Sequence, residues 1–187
     1  MRLQATLRAE ESVVEDVQEV VQENVPEEKA SKPKAKPSLG RFKKISDKHY
    51  EHLARLTYLV VDDSGFNRKI IREALSLFGV RRILEAKDGI EALEMLSKDK
   101  VDLVLTDYEM PLVSGIDLTR MVRKSKEVKD PDVPIIIISG YSEEYRLREA
   151  IAAGIQEYVT KPFAPDRLLC YVVRALGVTH PALLAAS

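Results

Sequence analysis

Two short segments, Val101-Asp-Leu-Val-Leu-Thr106 and Val133-Pro-Ile-Ile-Ile-Ile138, are aliphatic at almost every position. Runs of this kind fit strands covered on both faces, which happens where helices flank a parallel sheet. They are far short of the ~20 apolar residues that a membrane span requires. Three further β-rich runs, Thr57–Val61, Arg82–Ala86 and Gln156–Thr160, alternate with stretches of helical periodicity. Ile70, Ile71, Ala74, Leu75 and Phe78 share one helix face ahead of Gly79, and Ile90, Leu93 and Leu96 do so after Asp88, a suitable cap. Ile116, Leu118, Met121 and Val122 mark a third helix. Leu147, Ala150 and Ile151 mark a fourth that Gly154 can close, and Leu168, Leu169, Val172, Val173 and Leu176 a fifth. The expected fold is therefore α/β: a doubly wound five-stranded parallel sheet with five helices. For five strands joined by right-handed crossovers, 2-1-3-4-5 is the common order, although periodicity alone does not prove it.

Charge divides the 187 residues. Residues 1–30 carry 3 basic and 8 acidic side chains, whereas residues 31–55 carry 8 and 2. Within the acidic part Val13, Val14, Val17, Val20 and Val21 recur at roughly helical spacing until Pro26, so a short amphipathic helix is expected there. The following Lys/Pro alternation keeps the backbone extended and reads as a linker. The expected organisation is an acidic segment 1–30, a basic linker 31–55, a domain at 56–177 and a tail at 178–187. With 29 basic against 30 acidic residues in all, nothing in the charge favours nucleic acid. The single Cys170 excludes an internal disulfide or a multi-cysteine metal site, and it sits among Leu168, Leu169 and Val172 as a small hydrophobe. No secretory signal or membrane span is read, so the expected compartment is the cytoplasm.

In an open α/β sheet, ligands bind beyond the carboxyl ends of the strands. There the first strand runs into Asp62-Asp63, the third into Asp107, the fourth into Ser139-Gly140 and the fifth into Lys161-Pro162. Any one of these residues also suits a cap or a turn. Together, three carboxylates, a hydroxyl and an ammonium on one edge suit Mg²⁺ and a phosphoryl group. Lys161 and Ser139 would hold phosphoryl oxygens, and Asp107 on the central strand is the best-placed carboxylate nucleophile.

These residues resemble the receiver domain of two-component response regulators over roughly Tyr58 to Leu176. Leu59-Val-Val-Asp-Asp-Ser64 resembles the first-strand acidic pair of that flavodoxin-like family. Leu103-Val-Leu-Thr-Asp-Tyr-Glu-Met-Pro111 with Gly115 resembles its acceptor loop, Ile136-Ile-Ile-Ser-Gly140 its hydroxyl strand, and Tyr158-Val-Thr-Lys-Pro-Phe163 its lysine loop. The resemblance implies that Asp107 accepts a phosphoryl group from a sensor histidine kinase or a histidine phosphotransfer protein. It implies Mg²⁺ on Asp63, Asp107 and the Glu109 backbone carbonyl, with Asp62 acting through water. Lys161, Ser139, Gly140 and Tyr108 would contact the phosphoryl group, and Ser139 with Tyr158 would switch the surface of the fourth helix, fifth strand and fifth helix, where a downstream target docks. Lys161–Pro162 is expected as a cis peptide. Glu109 and Tyr141 stand where the family tunes hydrolysis of its own aspartyl phosphate, and Ser114 replaces a residue that is often acidic. Charges at Arg146, Arg148, Glu149, Glu157, Asp166 and Arg174 would serve either a homodimer face or solubility.

A phosphatase of the haloacid dehalogenase type also uses an aspartyl nucleophile with Mg²⁺. It needs a second Asp two residues later, and here that residue is Glu109. The chain therefore reads as a phospho-accepting regulator rather than a conventional enzyme. A degenerate receiver acting as a scaffold, and a receiver cut from a hybrid kinase, remain as alternatives. No output domain is expected after the fifth helix.

Overall fold

The computed structural model describes residues 47–179. The acidic segment with its expected helix, most of the basic linker and residues 180–187 lie outside the described residues. In chain order the elements are α1 (Asp47–Leu53), β1 (Thr57–Val61), α2 (Gly65–Ser76), β2 (Arg82–Ala86), α3 (Gly89–Lys98) and β3 (Leu103–Asp107). There follow α4 (Gly115–Lys124), β4 (Ile135–Ser139), α5 (Glu144–Ala153), β5 (Glu157–Thr160) and α6 (Pro165–Thr179). All strand pairs are parallel, in the order β2-β1-β3-β4-β5. No helix among the described residues is long and apolar enough to cross a membrane.

β1, β3 and β4 are buried at every residue, as their aliphatic composition requires. Alternation sends Tyr58, Val60, Leu103, Leu105, Ile136 and Ile138 to the face covered by α2 and α6. Leu59, Val61, Val104 and Ile135 go to the opposite face, against Ala92 and Leu96 of α3 and Leu118 and Val122 of α4. Ser64, Asp88 and Ser114 cap α2, α3 and α4, each accepting the backbone N–H three residues on. Gly154, at φ +97°, closes α5 as expected.

β1 and β2 match the sequence reading residue for residue. β3 and β4 begin two residues late and end one late, because Val101 and Val133 are buried ahead of the ladder rather than within it. The Asp102 carboxylate there accepts the N–H of Thr57 at 2.8 Å, and Pro134 has no N–H to give to a ladder.

The clearest departure is α1, which lies inside the stretch read as linker. Its Leu53 is fully buried in the same cluster as Tyr58 and Ile71, so the packed unit starts before residue 56. At its other end that unit runs on to Thr179. Leu53→Ala is expected to destabilise the protein by about 2–4 kcal/mol through transfer and cavity costs. A lowered urea midpoint with an unchanged slope would register this, and an unchanged midpoint would show that α1 contributes no packing.

Candidate functional site at the carboxyl edge of the sheet

Asp62, Asp107, Ser139 and Lys161 meet at the carboxyl edge because β1, β3, β4 and β5 all end there in register. The centre is the Lys161 ammonium, which donates to Asp107 Oδ1 at 2.5 Å and to Asp62 Oδ2 at 3.2 Å. Asp62 is fully buried, yet its carboxylate is well served. Oδ1 accepts the Ser64 N–H at 2.8 Å and the Asn67 side-chain amide at 3.2 Å, so its charge is compensated without solvent. Asp107 Oδ2 accepts the N–H of Glu109 at 3.0 Å. Burial holds the Asp107 carboxyl above the ordinary carboxylate range, against the pull of Lys161. Burial works in the other direction on Lys161, but Asp107 and Asp62 outweigh it and hold the ammonium above its usual range. The Lys161–Pro162 bond is cis, as expected.

Asp63, next in the chain, is exposed. Among the described residues no three or more His, Cys, Asp or Glu side chains close around a common point as a metal cage would. Asp62 and Asp107 are thus a buried pair bridged by Lys161, and Asp63 follows Asp62 as an exposed carboxylate at the end of the same strand. One ammonium against three carboxylates leaves two negative charges uncompensated on this edge.

Ser139 is buried, and its hydroxyl accepts the N–H of Tyr141 at 3.1 Å. It does not cap α5, whose N-cap is Glu143. A Cβ placed on Gly140 would meet no atom within 4 Å, so the approach beside Ser139 is open. Gly115 is the opposite case: a Cβ there would lie 2.2 Å from the Asp107 backbone oxygen, which lets α4 start directly under the acceptor loop. Tyr158 is half-buried, with its hydroxyl donating to the Tyr141 carbonyl at 3.0 Å. Burial pushes that hydroxyl up, while a hydrogen bond with Ser139 opposes the shift.

Tyr108, next to Asp107, turns its side chain toward α5. Its N–H donates to the Ile138 carbonyl and its hydroxyl to Glu149, so neither donor turns toward the Asp107 carboxylate. Its ring packs edge-on against Tyr158 at 6.3 Å, and burial together with Glu149 pushes its hydroxyl up to about 12. Three contributors escaped the sequence reading. Asn67 was hidden as the third residue after the Ser64 cap, and Arg68, which donates to the Asp62 carbonyl at 2.7 Å, sits in an ordinary helical pattern. Arg146 stood out only as surface charge, yet it pairs with Glu109 at 2.8 Å.

Residues 58–173 match the model of the response regulator receiver domain. A chemotaxis protein CheY homolog of Campylobacter jejuni is 38% identical over 111 residues, covering 59% of this chain and 84% of that protein. CheY1 of Helicobacter pylori is 39% identical over 111 residues, covering 59% and 88%. Among solved structures, CheY4 of Vibrio cholerae superposes with a TM-score of 0.59 at 29% identity, covering 64% of this chain and 98% of that one. The receiver domain of a sensor histidine kinase from Pseudomonas aeruginosa, solved with a magnesium ion in its active-site cleft, gives 0.58 at 27% identity, covering 65% and 98%. Five parallel strands in the order 2-1-3-4-5, a carboxylate–lysine pair at their carboxyl edge and the matched family model agree: the chain belongs to the response regulator receiver domains of two-component systems.

Proposed function

We propose that the protein is a phosphorylation-dependent signalling switch in which Asp107 takes a phosphoryl group from a sensor histidine kinase or a histidine phosphotransfer protein. The observation that carries this reading is the Lys161 ammonium on Asp107 Oδ1, on an edge left open beside Gly140. An oxygen of Asp107 attacks phosphorus in line with the leaving imidazole. The new O–P bond forms as the P–N bond breaks, and the electron pair stays on the imidazole nitrogen. Lys161 then meets the phosphoryl oxygens as a point charge, and Ser139 donates from the neighbouring strand end. Lys161, itself held by Asp62, positions the acceptor.

The residues fit Mg²⁺. The edge offers only oxygen donors and two uncompensated negative charges, and this ion needs just one or two carboxylates while keeping several waters. Asp63, Asp107 and the Glu109 carbonyl would hold it, with Asp62 acting through water. When bound, the ion neutralises charge that develops on the phosphoryl oxygens.

The switch output is assigned to the face of α5, β5 and α6, where Ser139 and Tyr158 both hydrogen-bond the backbone of Tyr141. A downstream target or a second copy docks there, and the expected setting is the cytoplasm. The protein acts as a regulator that catalyses only its own phosphotransfer and the slow hydrolysis of its aspartyl phosphate.

The test is incubation with acetyl phosphate and Mg²⁺, followed by intact mass. A gain of one phosphoryl group, absent when a chelator removes Mg²⁺, is the expected result. No gain at millimolar Mg²⁺ overturns the reading in favour of a scaffold.

A further inference from the structure

Arg146 leaves the first turn of α5 and touches both loops that border Asp107. Toward the loop after β3, Nη1 donates to Glu109 Oε1 at 2.8 Å and the guanidinium stands 4.8 Å from the centre of the Tyr108 ring. Toward the loop after β4, it stacks 4.1 Å over the ring of Tyr141. Its Nε donates to the Tyr145 hydroxyl at 3.0 Å. The residues it grips are themselves tied to the site. The Glu109 N–H binds Asp107 Oδ2, and the Tyr141 N–H binds Ser139 Oγ. β3 and β4 are neighbours with Asp107 opposite Ile138, so Glu109 and Tyr141 rise on either side of any group carried on Asp107. Arg146 spans the gap between them. Its side chain is only 16% exposed although Tyr141 and Tyr145 are open to solvent. The α5 N-cap, Glu143, makes no side-chain capping bond; Arg146 ties the first turn of the helix to the acceptor loop, and Glu149 ties its second turn through the Tyr108 hydroxyl.

We propose that Arg146 is a positioning residue that straps these two loops together and prolongs the life of the aspartyl phosphate by restricting water. This rests on the phospho-acceptor reading above. In hydrolysis a water oxygen bonds to phosphorus as the P–O bond to Asp107 breaks. The Asp107 carboxylate is regenerated, and the proton leaves with inorganic phosphate. Water must arrive in line from the side away from Asp107. A planar guanidinium can stack on an aromatic ring and fork to a carboxylate at once, whereas an ammonium can do only the second. Because exposed ion pairs and single cation–π contacts are individually weak, the strap modulates a lifetime rather than creating it.

The experiment labels the full chain with acetyl phosphate and Mg²⁺, removes the donor, and follows decay of the phosphoryl adduct by intact mass. In Arg146→Ala the decay is expected to be about three- to tenfold faster, with label uptake and urea midpoint nearly unchanged. Arg146→Lys should fall between Arg146→Ala and the wild type. Glu109→Gln should accelerate decay less than Arg146→Ala, and the double variant should decay no faster than Arg146→Ala alone. Decay in Arg146→Ala as slow as in the wild type, or effects of the two substitutions that simply multiply, would overturn the strap while leaving the acceptor reading intact. A wild-type chain that takes no label at all would overturn both.

Discussion

Asp107→Asn is expected to fold and to lose phosphoryl uptake from acetyl phosphate by at least about a hundredfold, since an amide oxygen is no substitute for the attacking carboxylate. Its effect on stability should run the other way. Burial holds the Asp107 carboxyl above the ordinary range, so folding favours the protonated form and ionisation costs stability. For a group raised in this way, the cost is absent below its unfolded value and develops as pH climbs through the unfolded and then the folded value. The Asn variant escapes it. Lys161 is left with Asp62, 3.2 Å away, so the substitution strands no lone ammonium. Urea unfolding should therefore find Asp107→Asn more stable than the wild type at neutral pH, with the margin closing as pH falls below the usual carboxylate range. A variant less stable at neutral pH would mean that the Lys161 pair outweighs desolvation. Persistent Mg²⁺-dependent labelling would place the acceptor on another residue.

Asp107, Lys161 and Ser139 were legible in the sequence because each follows directly on a strand, and strand ends in a parallel sheet share an edge whatever the side chains do afterwards. The same logic gave β1 and β2 without error, since turn residues bound both. It overran at Val101 and Val133, where burial continues past the last ladder hydrogen bond and hydrophobicity reports only burial. Tyr108 exposes a different limit. Its place next to Asp107 does not fix where its side chain goes: the ring lies against an apolar layer with its hydroxyl on Glu149 of α5, while its N–H stays with the sheet on the Ile138 carbonyl. Asn67 and Arg146 act through side chains that reach across five residues and thirty-seven residues respectively, and no periodicity encodes such reach. The Leu53 packing was masked by composition. A Lys/Pro-rich stretch leads into it, and one buried leucine does not change the average.

Gly115→Ala is expected to be the most damaging small substitution in the domain. The added methyl would sit 2.2 Å from the Asp107 backbone oxygen and 3.2 Å from both the Asp107 carbonyl carbon and Thr106 Cγ2. Two of those atoms are main chain of the acceptor itself, so no rotamer change relieves the clash. Either α4 must retreat or the end of β3 must bend. Retreat strains the Gly115 N–H bond to the Tyr108 carbonyl and disturbs the helix start capped by Ser114. The loss of stability should be about 3 kcal/mol, the upper range for an overpacked site. Bending displaces the Asp107 carboxylate from Lys161, and a misplacement of about 1 Å at a reacting centre can cost about a hundredfold in labelling rate. Gly140→Ala, at the other glycine of the site, meets nothing within 4 Å and should shift stability by no more than about 0.5 kcal/mol. Urea midpoints separate the two variants directly. If both glycines tolerate alanine equally, α4 does not press against the acceptor strand, and the acceptor loop is held by its hydrogen bonds rather than by close packing.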